Sequence, residues 1–357
     1  MKNRYILSFI CALMLNIGIS QPEFLSTSPQ VSAPDINGNQ IDLNSILDEG
    51  KVVIIDLFAA WCGPCWSYHE AHILEDAYQM YGPNGTNELV VIGIEAEQSN
   101  TRAQLTGTSV NQERSGFTLG DWTAGITYPI MDNATFNDDF SLNYYPTVIA
   151  IFPNRTMFEM RQQPLTVIRQ ILDLNPGVAS ESRDLYTVKY SGDEQTCDEP
   201  EIRFMLHNSG TDVLKNATFQ VLDNEEVVLE SSWSGDLETY EQVEVTLGII
   251  EGVDESKDYI IRAIVEGDEM NIENNETTAS ISTQNVFSEA ITVKFQTDFY
   301  PGETTWLIED SNGDVVFSQT YRAGPETYGG GGEDALKEHV HNITLMESVD
   351  CYKFKVL

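Results

Sequence analysis

Cys62 and Cys65, separated by Gly63-Pro64, form a C-x-x-C pair close enough in the chain for one sulfur to reach the other. Such a dithiol can cycle between two thiols and a disulfide. One sulfur attacks a substrate disulfide as a thiolate, and the other resolves the mixed disulfide that results. On this reading Cys62 is the exposed, attacking sulfur and Cys65 the resolving one. The pair follows Lys51–Ala59, a continuous apolar run of the kind buried on both faces of a sheet. It opens Pro64–Tyr81, where Tyr68, Ala71, Leu74, Ala77, Tyr78 and Tyr81 recur at helical spacing and Gly82-Pro83-Asn84-Gly85 stops the run. A strand-to-helix junction sets the sulfurs at a helix N-terminus. Free N–H groups and the positive end of the helix dipole stabilise a thiolate there. Pro64 suits the first turn, which has no use for its missing N–H.

Other readings of the same residues stand beside this one. A lone C-x-x-C can be half of a zinc site, but the sequence holds no second one. His69 and His72 extend the pair to C-x2-C-x3-H-x2-H, a spacing that could place both rings on one helix face. Pro64 and the junction favour redox chemistry, with His69 and His72 as exposed helix residues and no metal. Asp56 is an acid among Val53, Ile54, Ile55, Leu57 and Phe58, where burial of a charge is costly. Glu95, at the end of the next strand, is a second carboxylate that could reach the site. Trp61 and Trp66 read as an apolar rim around the sulfurs.

The segment Trp61-Cys62-Gly63-Pro64-Cys65 resembles the active site of the thioredoxin superfamily. Two further pieces match in order: Asp56, six residues before the first cysteine, and Tyr145-Pro146-Thr147, just ahead of the strand Val148–Phe152. The resemblance covers residues 31–177 and implies a thioredoxin-like α/β fold. It implies Asp56 as the proton acceptor for the resolving thiol and a cis Pro146 beside the dithiol. Trp61, Gly63, Pro64 and Tyr145 would then line the substrate side. It also implies thiol–disulfide oxidoreductase activity without a cofactor, acting on disulfide-containing client proteins and recharged by an electron donor. The opening Ala33–Lys51 is similar to that of exported oxidoreductases related to cytochrome-maturation and peroxiredoxin-like proteins. Tyr68 and Glu70 stand where those proteins carry Glu and then Pro. Gly107–Met131 reads as an insertion that varies within such families.

The supporting elements follow from pattern. Leu89–Ile94 is a second buried strand, completing β-α-β with a right-handed crossover. Thr147–Phe152 and Thr156–Met160 are strands joined at Pro153-Asn154, and Leu165–Leu172 is a closing helix. After Pro176-Gly177 the texture becomes all-β. Seven segments with β-branched alternation, from Leu185–Tyr190 to Glu276–Ser282, predict a sandwich over 184–283. Its Ile202–Gly210 and Glu273–Glu276 segments resemble bacterial cell-adhesion-related immunoglobulin-like domains, which implies contact with a surface partner. The acidic loop Glu266–Glu276 reads as a solvated turn, with calcium as the alternative. Ile291–Gln296, Thr305–Glu309, Val315–Gln319 and Tyr352–Val356 predict a further β module over 286–357, read as truncated. Ser311-Asn312-Gly313-Asp314 is its hairpin turn, and Gly329–Gly332 is a flexible loop.

The amino terminus predicts export. Lys2 and Arg4 precede the apolar run Ile6–Ile19, and Gly18 and Ser20 suit cleavage after Ser20, so 1–20 reads as a signal peptide and 21–30 as a linker. No membrane span is expected after that cleavage, and the address is periplasmic, cell-surface or secreted. The chain of 357 residues carries 19 Lys and Arg against 56 Asp and Glu, a formal charge of −37, which repels nucleic-acid phosphates and anionic lipid. Besides Cys11 in the apolar run, the remaining cysteines are Cys62, Cys65, Cys197 and Cys351, too few for a disulfide-stapled scaffold. Cys197 and Cys351 could pair with each other only if two modules pack closely; otherwise Cys351 pairs beyond Leu357. From another functional class comes a surface binding protein in which the thioredoxin-like domain is only a scaffold.

Overall fold

A computed structural model of the chain describes residues 24–108, 117–192, 195–196, 199–251, 257–265, 267, 269, 272–283, 290–310, 312–326, 329–345 and 352–357. The signal-peptide reading and Cys11, Cys197 and Cys351 lie outside the described residues.

The first module runs β1 (Phe24–Thr27), β2 (Ser32–Pro34), β3 (Gln40–Asp42), α1 (Leu43–Asp48), β4 (Val52–Phe58), α2 (Gly63–Glu70), α3 (Ile73–Tyr81), β5 (Leu89–Glu95), α4 (Arg102–Leu105), β6 (Ile130–Asp132), α5 (Phe136–Asp139), β7 (Thr147–Ile151), β8 (Thr156–Glu159) and α6 (Leu165–Asp173). Its six-stranded sheet has the order β1-β8-β7-β4-β5-β6. β4, β5 and β6 are parallel, while β7 is antiparallel to β4, β8 to β7 and β1 to β8. This is the thioredoxin-like α/β arrangement, with β4 central and every one of its residues buried.

Strand alternation gives the sheet two apolar faces. Val52, Ile54 and Phe58 pack in one cluster with Cys62, Cys65, Leu74 and Ile168. Val53, Ile55 and Leu57 pack with Leu43 and Leu47 of α1 on the other side. Helix α6 joins the dithiol side through Ile168, Ile171 and Leu172, a 3–4 spacing that forms one stripe.

Two expectations change here. The stretch 21–30 is not wholly a linker, because Phe24–Thr27 adds β1 to the sheet edge against β8. The single helix expected over Pro64–Tyr81 is two helices. His72 adopts φ 54° and ψ 18°, a left-handed conformation that ends one helix and starts the next. The break leaves Ala71 exposed and lets Tyr68 of α2 and Leu74 and Ala77 of α3 all reach the core.

After α6 the chain is all-β. β9 (Leu185–Tyr190), β10 (Gln195–Thr196), β11 (Glu201–Asn208), β12 (Leu214–Asp223), β13 (Glu226–Leu237), β14 (Gln242–Ile249), β15 (Lys257–Ile264) and β16 (Glu276–Thr283) make two sheets, β10-β16-β15-β12-β13 and β14-β11-β9. They share one core, where Phe204 of β11 meets Phe219 of β12 with ring centroids 4.8 Å apart. Within the acidic loop, Ile272–Asn274 forms a turn of 3-10 helix, and Glu269 accepts from the Leu185 N–H at 2.7 Å and from Asn275 Nδ2 at 2.8 Å.

The last module holds β17 (Ala290–Gln296), β18 (Thr305–Asp310), β19 (Val315–Thr320), β20 (Glu338–Thr344) and β21 (Tyr352–Val356), as sheets β17-β20 and β19-β18-β21. Its small core is Trp306, Ile308, Tyr321 and Ile343. Gly313, at φ 84°, turns the chain between β18 and β19. β20 is a strand the four-strand reading lacked. It escapes an apolar pattern because two of its less exposed positions are His339 and His341.

Candidate redox site

Cys62 and Cys65 are joined by a disulfide, with Cα atoms 5.3 Å apart. Cys62 is the N-cap of α2, Pro64 sits in its first turn, and Cys62 Sγ accepts from the Cys65 N–H at 3.2 Å. A helix end thus points a free N–H at the first sulfur, the interaction that favours a thiolate when the bond opens. The expectation that Cys62 is exposed is corrected: both residues are buried, Cys62 3% and Cys65 1% accessible. The sulfurs lie within the same apolar cluster as Phe58 and Trp122, and Gly63 and Pro64 are the exposed part of the motif.

Asp56 shares strand parity with Ile54 and Phe58, so its carboxyl points to the sheet face that carries the dithiol. It is buried, its Oδ1 makes no hydrogen bond, and burial pushes its pKa up to about 7. It lines a narrow void together with Tyr68, His69, His72, Glu75 and Tyr128. The phenols of Tyr68 and Tyr128 are held above their ordinary range, first by burial and then by the Asp56 charge. Tyr68 Oη donates to the Gln163 carbonyl at 2.8 Å, tying α2 to the segment before α6.

Tyr145–Pro146 is a cis peptide immediately ahead of β7. Trp61 stands edge-on to Tyr145, with centroids 5.8 Å apart. Tyr144 is exposed, Tyr145 half-buried, and Gln162 Nε2 donates to the Pro64 carbonyl at 3.0 Å. Burial, with help from Glu97 and Glu95, pushes the Tyr145 phenol up to about 12.

Glu95 ends β5 in register with Phe58, on the dithiol side. Its Oε1 accepts from the Ala60 N–H at 3.2 Å and from Asn100 Nδ2 at 2.8 Å, and its Oε2 is buried without a partner. Burial is the main cause that pushes it up to about 7. The site therefore has two carboxyls that titrate near neutrality.

Trp122 is a residue that sequence reasoning passed over. It lies between α4 and β6 and is 1% exposed. Its ring stacks on Phe58 at 4.5 Å and meets Trp66 and His69 at 4.9 and 5.0 Å. The sequence signal is small, a Trp two residues after Gly120; in the fold a Cβ at Gly120 would come within 2.4 Å of the Trp66 ring. His69 is not the exposed residue expected. It is half-buried against Trp66 and Trp122, and burial, aided by His72, lowers its pKa to about 4. Among the described residues, no group of three or more His, Cys, Asp or Glu is placed to hold a metal ion.

No protein-family model matches the chain, and no curated protein matches it. Among solved structures it is similar to the thioredoxin domain of a thiol-disulfide oxidoreductase from Bacteroides vulgatus, at 13% identity over 42% of this chain and 97% of that one, with a TM-score of 0.31. A thiol:disulfide interchange protein of the thioredoxin family from Chlorobium tepidum TLS gives 18% identity, 43% and 97% coverage and a TM-score of 0.30. A thiol:disulfide interchange protein from Bacteroides sp. gives 16%, 42%, 87% and 0.29. The assignment of the fold stands on strand order and register: a central β4, followed by the helix that opens on the dithiol and flanked by parallel β5 and antiparallel β7.

Proposed function

We propose that the chain is an exported thiol–disulfide oxidoreductase that exchanges disulfides in client proteins. One observation carries this reading: a Cys62–Cys65 disulfide at the start of α2, over a sheet face that buries the unpaired acid Asp56. In the reduced protein Cys62 attacks as a thiolate, forming a bond to one client sulfur while the other client sulfur leaves with the electron pair. Asp56, in its carboxylate form, takes the proton of Cys65. The Cys65 thiolate then bonds to Cys62 Sγ, and the second client sulfur departs and is protonated from water. The client gains two electrons and the Cys62–Cys65 disulfide is restored, to be reduced by a separate dithiol donor. Trp61, Gly63, Pro64, Tyr145 and Pro146 form the client-facing rim. The chemistry needs no metal or organic cofactor. We place the protein in the periplasm, on the cell surface or in the medium, on the strength of the first 20 residues. We read the sandwich as an immunoglobulin-like module that meets a surface partner.

Trapping tests the reading. With Cys65→Ser, the thiolate at Cys62 still attacks and nothing nearby resolves, so mixed disulfides with clients accumulate as high-mass bands that collapse on reduction. With Cys62→Ser no such bands form. Equal trapping by the two variants would overturn the attacking and resolving roles, and absence of trapping by either would favour a scaffold.

A further inference from the structure

We infer that the Leu119–Trp122 segment between α4 and β6 is a positioning device for the reaction proposed above, and that Trp122 sets the thiolate character of Cys62 by clamping the Ala60–Trp61 peptide. The inference rests on that proposed reaction. The turn that delivers Cys62 to α2 is closed by the Cys62 N–H, which donates to the Ala59 carbonyl at 2.9 Å. Inside this turn the Ala60 residue is held from both sides. Its N–H donates to Glu95 Oε1 at 3.2 Å. Its carbonyl accepts two bonds, from the Leu119 N–H at 3.1 Å and from the Trp122 indole N–H at 3.2 Å.

Both donors to that carbonyl come from the Leu119–Trp122 segment, and that segment is itself anchored. The Trp122 N–H donates to the Leu105 carbonyl at 3.0 Å, and Asp121 bridges to Thr106. The same indole packs against Phe58 before the motif and against Trp66 and His69 after it. One buried side chain therefore touches the strand end, the turn and the helix that together place Cys62 Sγ. A thiolate is stabilised only while that sulfur stays within reach of the α2 N–H groups, as in the 3.2 Å contact with the Cys65 N–H. Loosening the turn weakens that contact in the reduced protein, where charge resides on sulfur, and matters less in the disulfide.

The experiment uses the full chain and Trp122→Phe, which keeps an aromatic ring and removes the N–H. A second substitution, β-(3-benzothienyl)alanine incorporated at Trp122, preserves the indole shape and deletes only the donor. The readouts are the equilibrium constant of the Cys62–Cys65 couple in glutathione buffers and the pH dependence of Cys62 alkylation, mapped to its own peptide. We expect the equilibrium to move about fivefold toward the disulfide, the factor one lost hydrogen bond of ordinary strength carries. For a two-electron couple that is about 20 mV more reducing. The Cys62 alkylation profile shifts upward in pH, and both substitutions act alike. If melting temperatures of the oxidised and reduced forms fall together while potential and alkylation profile stay put, Trp122 is only a packing residue and the inference is overturned. A parent that fails to equilibrate with glutathione at all would instead overturn the oxidoreductase reading, and this inference with it.

Discussion

At the scale of single residues, the decisive feature is a carboxyl buried without a partner. Asp56 is pushed up to about 7 from an ordinary 3.8 by burial. Between those two pH values the folded protein holds a proton that the unfolded chain has released, so stability falls as pH rises through the window. Glu95, also pushed up to about 7, tilts stability in the same direction from about 4.5 upward. Asp56→Asn should therefore be more stable than the parent at pH 8, by on the order of a few kcal/mol, and melt at a higher temperature. The gap should narrow toward pH 4, and the variant should turn over client disulfides more slowly because Cys65 loses its proton acceptor. Thermal unfolding at the two pH values checks this, and a gap independent of pH would show that Asp56 is not the titrating group.

At the scale of elements, β1 matters more than its length suggests. Phe24 pairs with Phe158 and Thr27 with Thr156, covering the free edge of β8. A fragment spanning 31–177 leaves that edge open, whereas one spanning 21–177 keeps it covered. The longer fragment should be soluble and reduce insulin, and the shorter should aggregate more readily in a side-by-side light-scattering assay. Equal behaviour would make β1 dispensable. This strand was not legible in the sequence, because Phe-Leu-Ser-Thr amid Pro and Ser carries no alternation long enough to read. The strands buried on both faces were legible, since Val52–Phe58 and Leu89–Glu95 are apolar almost throughout. The dithiol, Asp56 and Pro146 were legible through their order along the chain. The helix break was hidden because His72 takes a left-handed conformation that no glycine or proline announces. Trp122 was hidden because its partners, Ala60 and Trp66, lie some sixty residues away and are joined to it only by the fold.

At the scale of the whole molecule, the first module meets the sandwich through the turn between β7 and β8 and the segment that follows α6. The Arg155 guanidinium lies over the Tyr240 ring at 4.6 Å, and the Ala179 N–H donates to Tyr240 Oη at 2.8 Å. His207 of β11 is fully buried nearby, edge-on to Tyr186, and neither ring nitrogen makes a well-formed hydrogen bond. Burial lowers it to about 4, opposed only in part by the Asn154 backbone of that turn. Here the sign reverses. Between about 4 and the ordinary 6.5 the unfolded state binds the proton that the folded state refuses, so stability falls as pH drops through that window. His207→Phe should flatten the acid side of the stability profile, read as melting temperature at pH 4.5 against pH 7. A variant that keeps the parent's slope would place the acid sensitivity elsewhere. The distribution of indoles over the modules has an optical consequence. Of the five tryptophans, Trp61 and Trp66 adjoin the two cysteines and Trp122 packs on Trp66, while Trp233 and Trp306 belong to the β modules. A disulfide quenches the emission of a nearby excited indole by accepting its electron. Opening the Cys62–Cys65 bond should brighten three emitters and leave two as a constant background, so the protein reports its own redox state by light alone.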